Sequence, residues 1–330
     1  MSKLIAIVGI TGNQGASVAD VFLAAGWRVR GISRDPSKPS SKAWSDKGVE
    51  MVAADLDDAA ALTAAFAGAT VIYGVTDFWQ GMSNPANHAK AAKEGRTINE
   101  ICYDIEVQQG RNIVDAASKT TDSLEYFVLS TLSWAKKWSK GDVTFNLHFD
   151  AKWMAVEYVR ETYPELWGKT SLLQVALFAT NWQSGKTMRP NKQADGTYLL
   201  KIPVRPDSKI PMVHPRKDCG HFVHALVSVP PGKNLLGVAS SLSWSEWAQL
   251  WAKTVGVECK YEQMPYGEMD KLMPGGMGAE LEDMFKYMDL YGYDGSDPTV
   301  VLPKDLGVDV PVTTIEEYMK MEDWSSVLSA

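Results

Sequence analysis

Val8-Gly9-Ile10-Thr11-Gly12-Asn13-Gln14-Gly15 is the stretch on which the fold turns. Before it runs the apolar segment Leu4 to Gly9, which reads as a buried strand. After it, Ser17 to Ala25 carries Val18, Val21, Phe22 and Ala25 at helical spacing. Three glycines at G-x-x-G-x-x-G let the chain turn sharply and let its backbone approach a pyrophosphate with no Cβ in the way. A helix starting near Ala16 then offers free N–H groups and the positive end of its dipole. A tight turn without a ligand would use the same residues. The distinguishing context is a strand before the loop and a helix after it, at the first junction of a repeating strand–helix pattern.

That pattern continues for half the chain. Strands are expected at Arg28–Ser33, Val49–Ala53, Thr70–Gly74, Tyr126–Ser130 and Ser171–Phe178, with helices at Ala59–Phe66, Arg96–Ser118 and His148–Glu161. Alternation of this kind makes a parallel sheet with helices on both faces. The fold class is α/β: a Rossmann-type doubly wound parallel sheet with a smaller α+β C-terminal domain. Residues 1–183 form the dinucleotide-binding unit, with a later contribution near 211–230, and 184–330 an interwoven substrate or partner domain. Segments 35–47 and 81–95 are polar and turn-rich and read as surface loops. Asp218 is expected to cap a helix over 218–229. Helices are also expected at Trp244–Val255 and Glu280–Met288.

Composition sets the outer limits. The 330 residues carry 33 Lys plus Arg against 40 Asp plus Glu, a formal charge of −7. That argues against direct nucleic-acid binding through a general basic surface. Three scattered cysteines form no disulfide framework and fit a reducing compartment. The first apolar run is too short to span a bilayer. A cytoplasmic protein, also compatible with the nucleus, is the expectation. Twelve tryptophans are unusual.

The end of the second strand speaks to the cofactor. A site for NAD usually places Asp or Glu about 20 residues past the glycines, on the ribose 2′-hydroxyl. Here the chain reads Ser33-Arg34-Asp35-Pro36-Ser37-Lys38. Ser33 carries no charge to repel a 2′-phosphate, Arg34 can grip one, and Asp35 is expected to turn away with Pro36. NADP(H) is therefore expected over NAD(H), bound by Gly9, Thr11, Gly12, Asn13, Gln14, Gly15, Ser33, Arg34 and Lys38. Asp55 and Leu56 should lie by the adenine, and Val75 and Thr76 by the nicotinamide ribose.

At the reacting end a short-chain dehydrogenase would have Ser, Tyr and a Lys four residues after the Tyr. Ser130 can supply the hydroxyl. The helix reads His148-Phe149-Asp150-Ala151-Lys152, so the spacing survives and histidine replaces tyrosine. Ser130, His148 and Lys152 are the candidate catalytic residues, and Lys152 also a cofactor ligand. His148 could serve as a general acid or base, or be only the first turn of a helix. His214, Cys219, His221 and His224 lack a metal-site pattern, so no metal is expected.

Taken together these motifs resemble the NmrA-like family of atypical short-chain dehydrogenases, and within it the NmrA-like redox sensors. The residues are the glycine loop, Ser33-Arg34-Asp35-Pro36, Val75–Trp79, Glu106–Gly110, His148–Lys152, Phe178–Trp182, Asp218–Gly220 and Leu281–Phe285. Residues 84–103 stand out as an insertion. The resemblance implies a dinucleotide in the cleft between two domains. It implies either an NADP(H) sensor that acts on a protein partner or an NADP(H)-dependent reductase of an apolar or aromatic small molecule. The missing tyrosine favours the sensor. Trp79, Trp134, Asn181 and Trp182, in segments that flank the cleft strands, would line a substrate pocket in the reductase.

Overall fold

The computed structural model describes residues 3–185 and 187–329. Its first strand, β1 (Leu4–Val8), is buried along its whole length. Ile5 and Ile7 enter the core on one face of the sheet, and Ala6 and Val8 the core on the other. Successive side chains of a strand point to opposite faces, so a continuous apolar run belongs in the middle of a sheet covered on both sides.

The chain continues through α1 (Asn13–Ala24), β2 (Arg28–Ser33), α2 (Pro39–Ser45), β3 (Glu50–Ala53), α3 (Ala59–Phe66) and β4 (Val71–Gly74). Next come α4 (Pro85–Glu94), α5 (Ile98–Ser118), β5 (Tyr126–Thr131), α6 (Ala135–Trp138), α7 (Leu147–Thr162) and β6 (Thr170–Val175). Two late strands, Asn234–Gly237 and Val300–Val301, extend the sheet to eight parallel strands. The order runs from Val300–Val301 through Asn234–Gly237 to β6, β5, β4, β1, β2 and β3. From β1 the chain winds outward to β3, then returns to β4 on the other side of β1. Ligands of such sheets lie at the carboxyl ends of the strands, at that reversal.

The strand expected over Ser171–Phe178 is two. β6 ends at Val175, and Leu177–Phe178 pairs with Ile210–Val213 in a three-stranded sheet completed by Ser240–Leu242. A further small sheet joins Asn191–Lys192, Tyr198–Ile202 and Cys259–Gln263. Helices Trp244–Val255 and Met277–Leu290 lie where the periodicity put them.

Both segments read as loops contain helices. In α4, Asn84 caps Ala86 N–H, Pro85 opens the first turn, and Gly95 closes it at φ +64°. These are ordinary start and stop residues, hidden by the polar composition between them. In α2 the same role falls to Pro39. The insertion is thus α4 and the start of α5, whose capping box joins Thr97 and Glu100. The helix expected from Asp218 starts earlier, at Pro215, with His214 at its cap. Asp218 lies inside the first turn, buried, with its carboxylate accepting from His214 and Thr313 N–H. None of the helices described is long and apolar enough to cross a membrane.

Helix Pro215–Leu226 packs across α1 at a point with no room for a side chain. Gly220 N–H donates to Ser17 Oγ at 2.9 Å. A Cβ on Gly220 would stand 2.2 Å from the Ser17 carbonyl oxygen. Gly220→Ala is expected to force the two helices apart and cost about 1–3 kcal/mol. The measurement is the urea midpoint at constant slope.

Candidate functional site

At the carboxyl ends of β1, β2, β4 and β5 opens a cleft of about 1500 Å³. Its floor is the glycine loop. Gly9 has φ +65°, and its carbonyl accepts from Gly12 N–H at 2.9 Å. A Cβ on Gly15 would fall 2.3 Å from the Gly9 carbonyl oxygen. The turn therefore closes only around glycine. Gly12 caps α1 without a side chain to satisfy the first N–H groups, and no acidic residue stands in the first turn. Such a helix end is open to an anion. Thr11 and Asn13 line the cleft beside it.

Gln14 has a second role that its place in the loop does not suggest. Its side-chain oxygen accepts from Tyr73 OH at 2.6 Å and from Ser130 Oγ at 2.9 Å. Ser130 lies in the cleft wall, but its single hydroxyl proton is already committed.

The end of β2 forms the wall next to the loop. Asp35 accepts from both the backbone N–H and the hydroxyl of Ser37, and these bonds hold its carboxyl below the usual range. Ser33 Oγ accepts from Asp35 N–H and Ser41 Oγ. Arg34 and Gln80 both line the cleft, and with the Gln80 amide assigned so that its oxygen faces the guanidinium, Arg34 donates to it at 2.6 and 3.3 Å. Lys38 also faces the cleft, as do Asp55 and Leu56 from the end of the neighbouring β3. The Leu56 carbonyl is fixed by Asn112 Nδ2 at 2.7 Å.

α7 brings a second set of polar side chains to the cleft. Lys152 Nζ donates to the Thr76 carbonyl (2.8 Å), to Thr76 Oγ1 (3.2 Å) and to Glu106 Oε1 (2.5 Å). Glu106 is 1% exposed, and its Oε2 has no partner among the described residues. All three ammonium protons are thus in use. One turn earlier, His148 Nδ1 stands 2.6 Å from Oε1 of the fully buried Glu280. His148 lines the cleft, with the Trp79 ring 4.9 Å from its own. Near these groups burial pushes the Asp150 carboxyl up to about 7 and the Cys102 thiol up to about 11.

The cleft brings together every residue assigned above to a cofactor, with Ser130, His148, Lys152, Val75, Trp79 and Asn181. Two of the proposed pocket residues lie elsewhere. Trp134 is partly buried and stacks on Trp153 at the edge of the core that holds Ala6 and Val8. Trp182 is buried against Trp324 and donates its Nε1–H to Tyr318 OH. Both aromatic rings serve packing. Glu280 and Asn99 were missed, and Glu106 was noted only within a motif. The methionines were missed as well. Met188, Met264, Met269, Met273, Met277, Met284 and Met288 line the part of the cleft supplied by the C-terminal half.

Comparison with known proteins places this geometry. The model of the NmrA-like family matches residues 1–324. The NmrA-like family domain-containing oxidoreductase ptmS of Penicillium ochrochloron is 25% identical over 276 residues, 79% of this chain and 75% of that protein. The NmrA-like family domain-containing oxidoreductase cpsB of Aspergillus campestris is 24% identical over 343 residues, covering 97% and 89%. Among solved structures, NmrA, a negative transcriptional regulator in complex with NADP, superposes with a TM-score of 0.71 at 18% identity, covering 97% and 94%. An NADPH-dependent quinone oxidoreductase of Escherichia coli complexed with NADPH gives 0.66 at 19%, covering 96% and 99%. At these identities the two structures establish the fold.

The pair at Lys152 has a measurable consequence. Its side chain is 12% exposed and that of Glu106 1%. Removing one partner of a buried pair leaves an uncompensated charge, which costs about 3–5 kcal/mol. Lys152→Met is expected to lose that much in denaturant unfolding, and Lys152→Met/Glu106→Gln to recover most of it.

Proposed function

The chain belongs to the NmrA-like family, and we propose that within it this protein is an NADP(H)-dependent oxidoreductase of an apolar or aromatic small molecule. The observation that carries the reading is the continuity of the cleft. Beyond the glycine loop and past His148 it opens into a chamber walled by methionine, with Phe178, Leu281 and Tyr293. Thioethers are apolar, polarizable and conformationally adaptable, and suit a flat conjugated ligand. A chamber of that kind has no use in holding a dinucleotide alone.

The loop fits the cofactor on local grounds: an uncapped helix end and a backbone approach that a Cβ would close. Gly9 and Thr11 to Gly15 would hold the pyrophosphate, with Asp55 and Leu56 beside the adenine. Arg34, with Ser33 and Lys38, would hold the 2′-phosphate. Val75, Thr76 and Lys152 would hold the nicotinamide ribose. Residues 1–183 with 211–230 would bind the dinucleotide, and 184–330 would shape the substrate chamber. Bound there, NADPH would supply a hydride. Lys152 would exchange one of its Thr76 bonds for a ribose hydroxyl, and proton transfer falls to His148, which lines the cleft.

A specific observation favours the second reading, a sensor. The Arg34–Gln80 bond ties the end of β2 to the turn Phe78–Ser83. A 2′-phosphate competing for Arg34 would release that turn and the half-exposed Trp79. Occupancy would then bias a surface loop, as ligand control requires.

Two measurements decide. Arg34→Ala should weaken NADPH binding at least tenfold relative to NADH, the worth of one hydrogen-bonded charge at about 1.5–3 kcal/mol. Equal losses for both would remove the NADP(H) preference. Under the oxidoreductase reading, NADPH is consumed with some member of a panel of enones, imines, aldehydes and quinones. No turnover, together with different hydrogen-exchange protection by NADPH and NADP+, would establish the sensor instead.

A further inference from the structure

We propose that Glu280 is the positioning residue for proton delivery by His148, which makes helix Met277–Leu290 part of the reacting end. The inference rests on the oxidoreductase reading above. It adds a residue 132 positions away in sequence. Oε1 of Glu280 accepts from the His148 backbone N–H at 2.9 Å and faces Nδ1 of the same residue at 2.6 Å. An ionised carboxylate can only accept, so Nδ1 carries a hydrogen. In the neutral ring the lone pair is then on Nε2, the nitrogen left for the cleft.

The surroundings hold that arrangement from three elements. Oε2 of Glu280 accepts from Asn99 Nδ2 at 3.3 Å, and Asn99 is itself fully buried in the first turn of α5. Gly276 makes room for it. A Cβ there would stand 2.6 Å from Asn99 Oδ1, and the residue has φ +108°. Glu280 lies in the first turn of its helix. The imidazole is packed by Trp79, Phe78 and Phe149, with ring centroids at 4.9, 5.9 and 5.0 Å. The other titratable groups nearby are Lys152 and Asp150 on α7 and Cys102 and Glu106 on α5. Their bonds go elsewhere, Lys152 to Glu106 and Asp150 to Lys136 N–H.

The chemistry balances. A reduced nicotinamide dinucleotide bound in the cleft would supply the hydride for a new C–H bond at the electron-poor carbon of a conjugated carbonyl, whose displaced electron pair would move to oxygen. The imidazolium gives its Nε2 proton to that oxygen and is left neutral with Nδ1–H on Glu280. Solvent in the open cleft returns a proton to Nε2. The substrate gains two hydrogens and the dinucleotide is oxidised.

The test uses the full chain with 15N-labelled histidine, with His148→Gln to assign the ring. Recorded at a pH where the ring is neutral, wild-type His148 should show the Nδ1–H tautomer. Glu280→Met should lose that signature and lower kcat about 100-fold, the scale of a general acid, with KM and NADPH Kd changed less than about threefold. Glu280→Gln keeps an acceptor and should restore both the signature and most of kcat. A wild-type ring in the Nε2–H tautomer, or a folded Glu280→Met with unchanged kcat, overturns the proposal. Where Glu280→Met does not fold, the wild-type spectrum decides. If the wild type consumes no NADPH, the oxidoreductase reading fails, while the spectrum alone still decides whether Glu280 sets the ring.

Discussion

No side chain can exist at Gly15. Its Cα lies so close to the Gly9 carbonyl that the end of β1 and the first turn of α1 are in contact through backbone alone. On its other side α1 meets Gly220 in the same way. Two backbone contacts thus clamp one helix between the sheet and helix Pro215–Leu226. Because the clamp fixes the direction of α1, it also aims the uncapped N–H groups at the floor of the cleft. The reversal between β1 and β4 then leaves that floor open instead of covered by a crossover.

Electrostatics complete the site from a distance. His148 and Lys152, one turn apart on α7, each find a carboxylate that is essentially buried: Glu280 from the C-terminal half and Glu106 from α5. Burying such groups is expensive unless they are paired. The pairs therefore couple the orientation of α7 to two other helices. The lysine ends with no free proton and the histidine with one open nitrogen.

Much of this was legible in the residues. The fold class follows from alternating strands and helices, and the glycine loop by itself locates the cleft. Surface helices α2 and α4 were not, because polar residues between a proline and a glycine look like a loop whether or not they are capped. Trp134 and Trp182 misled for a related reason. Proximity in sequence to a cleft strand does not say which way a ring points: Trp182 is buried in one core and Trp134 packs against the edge of the other. The helix through Pro215 began earlier than Asp218 suggested, since a proline at the first turn outweighs a carboxylate three residues later.

What the sequence determined by itself is local: where the backbone must turn without a Cβ, which face of each strand is apolar, and that histidine stands where tyrosine is expected. These are properties of neighbouring residues, decided by sterics and periodicity over a few positions. Tertiary structure alone decided which carboxylates meet His148 and Lys152, and that methionines separated by as many as 100 residues enclose one chamber. Such pairings depend on how helices are docked, and a buried charge takes whatever partner the docking brings within hydrogen-bond reach.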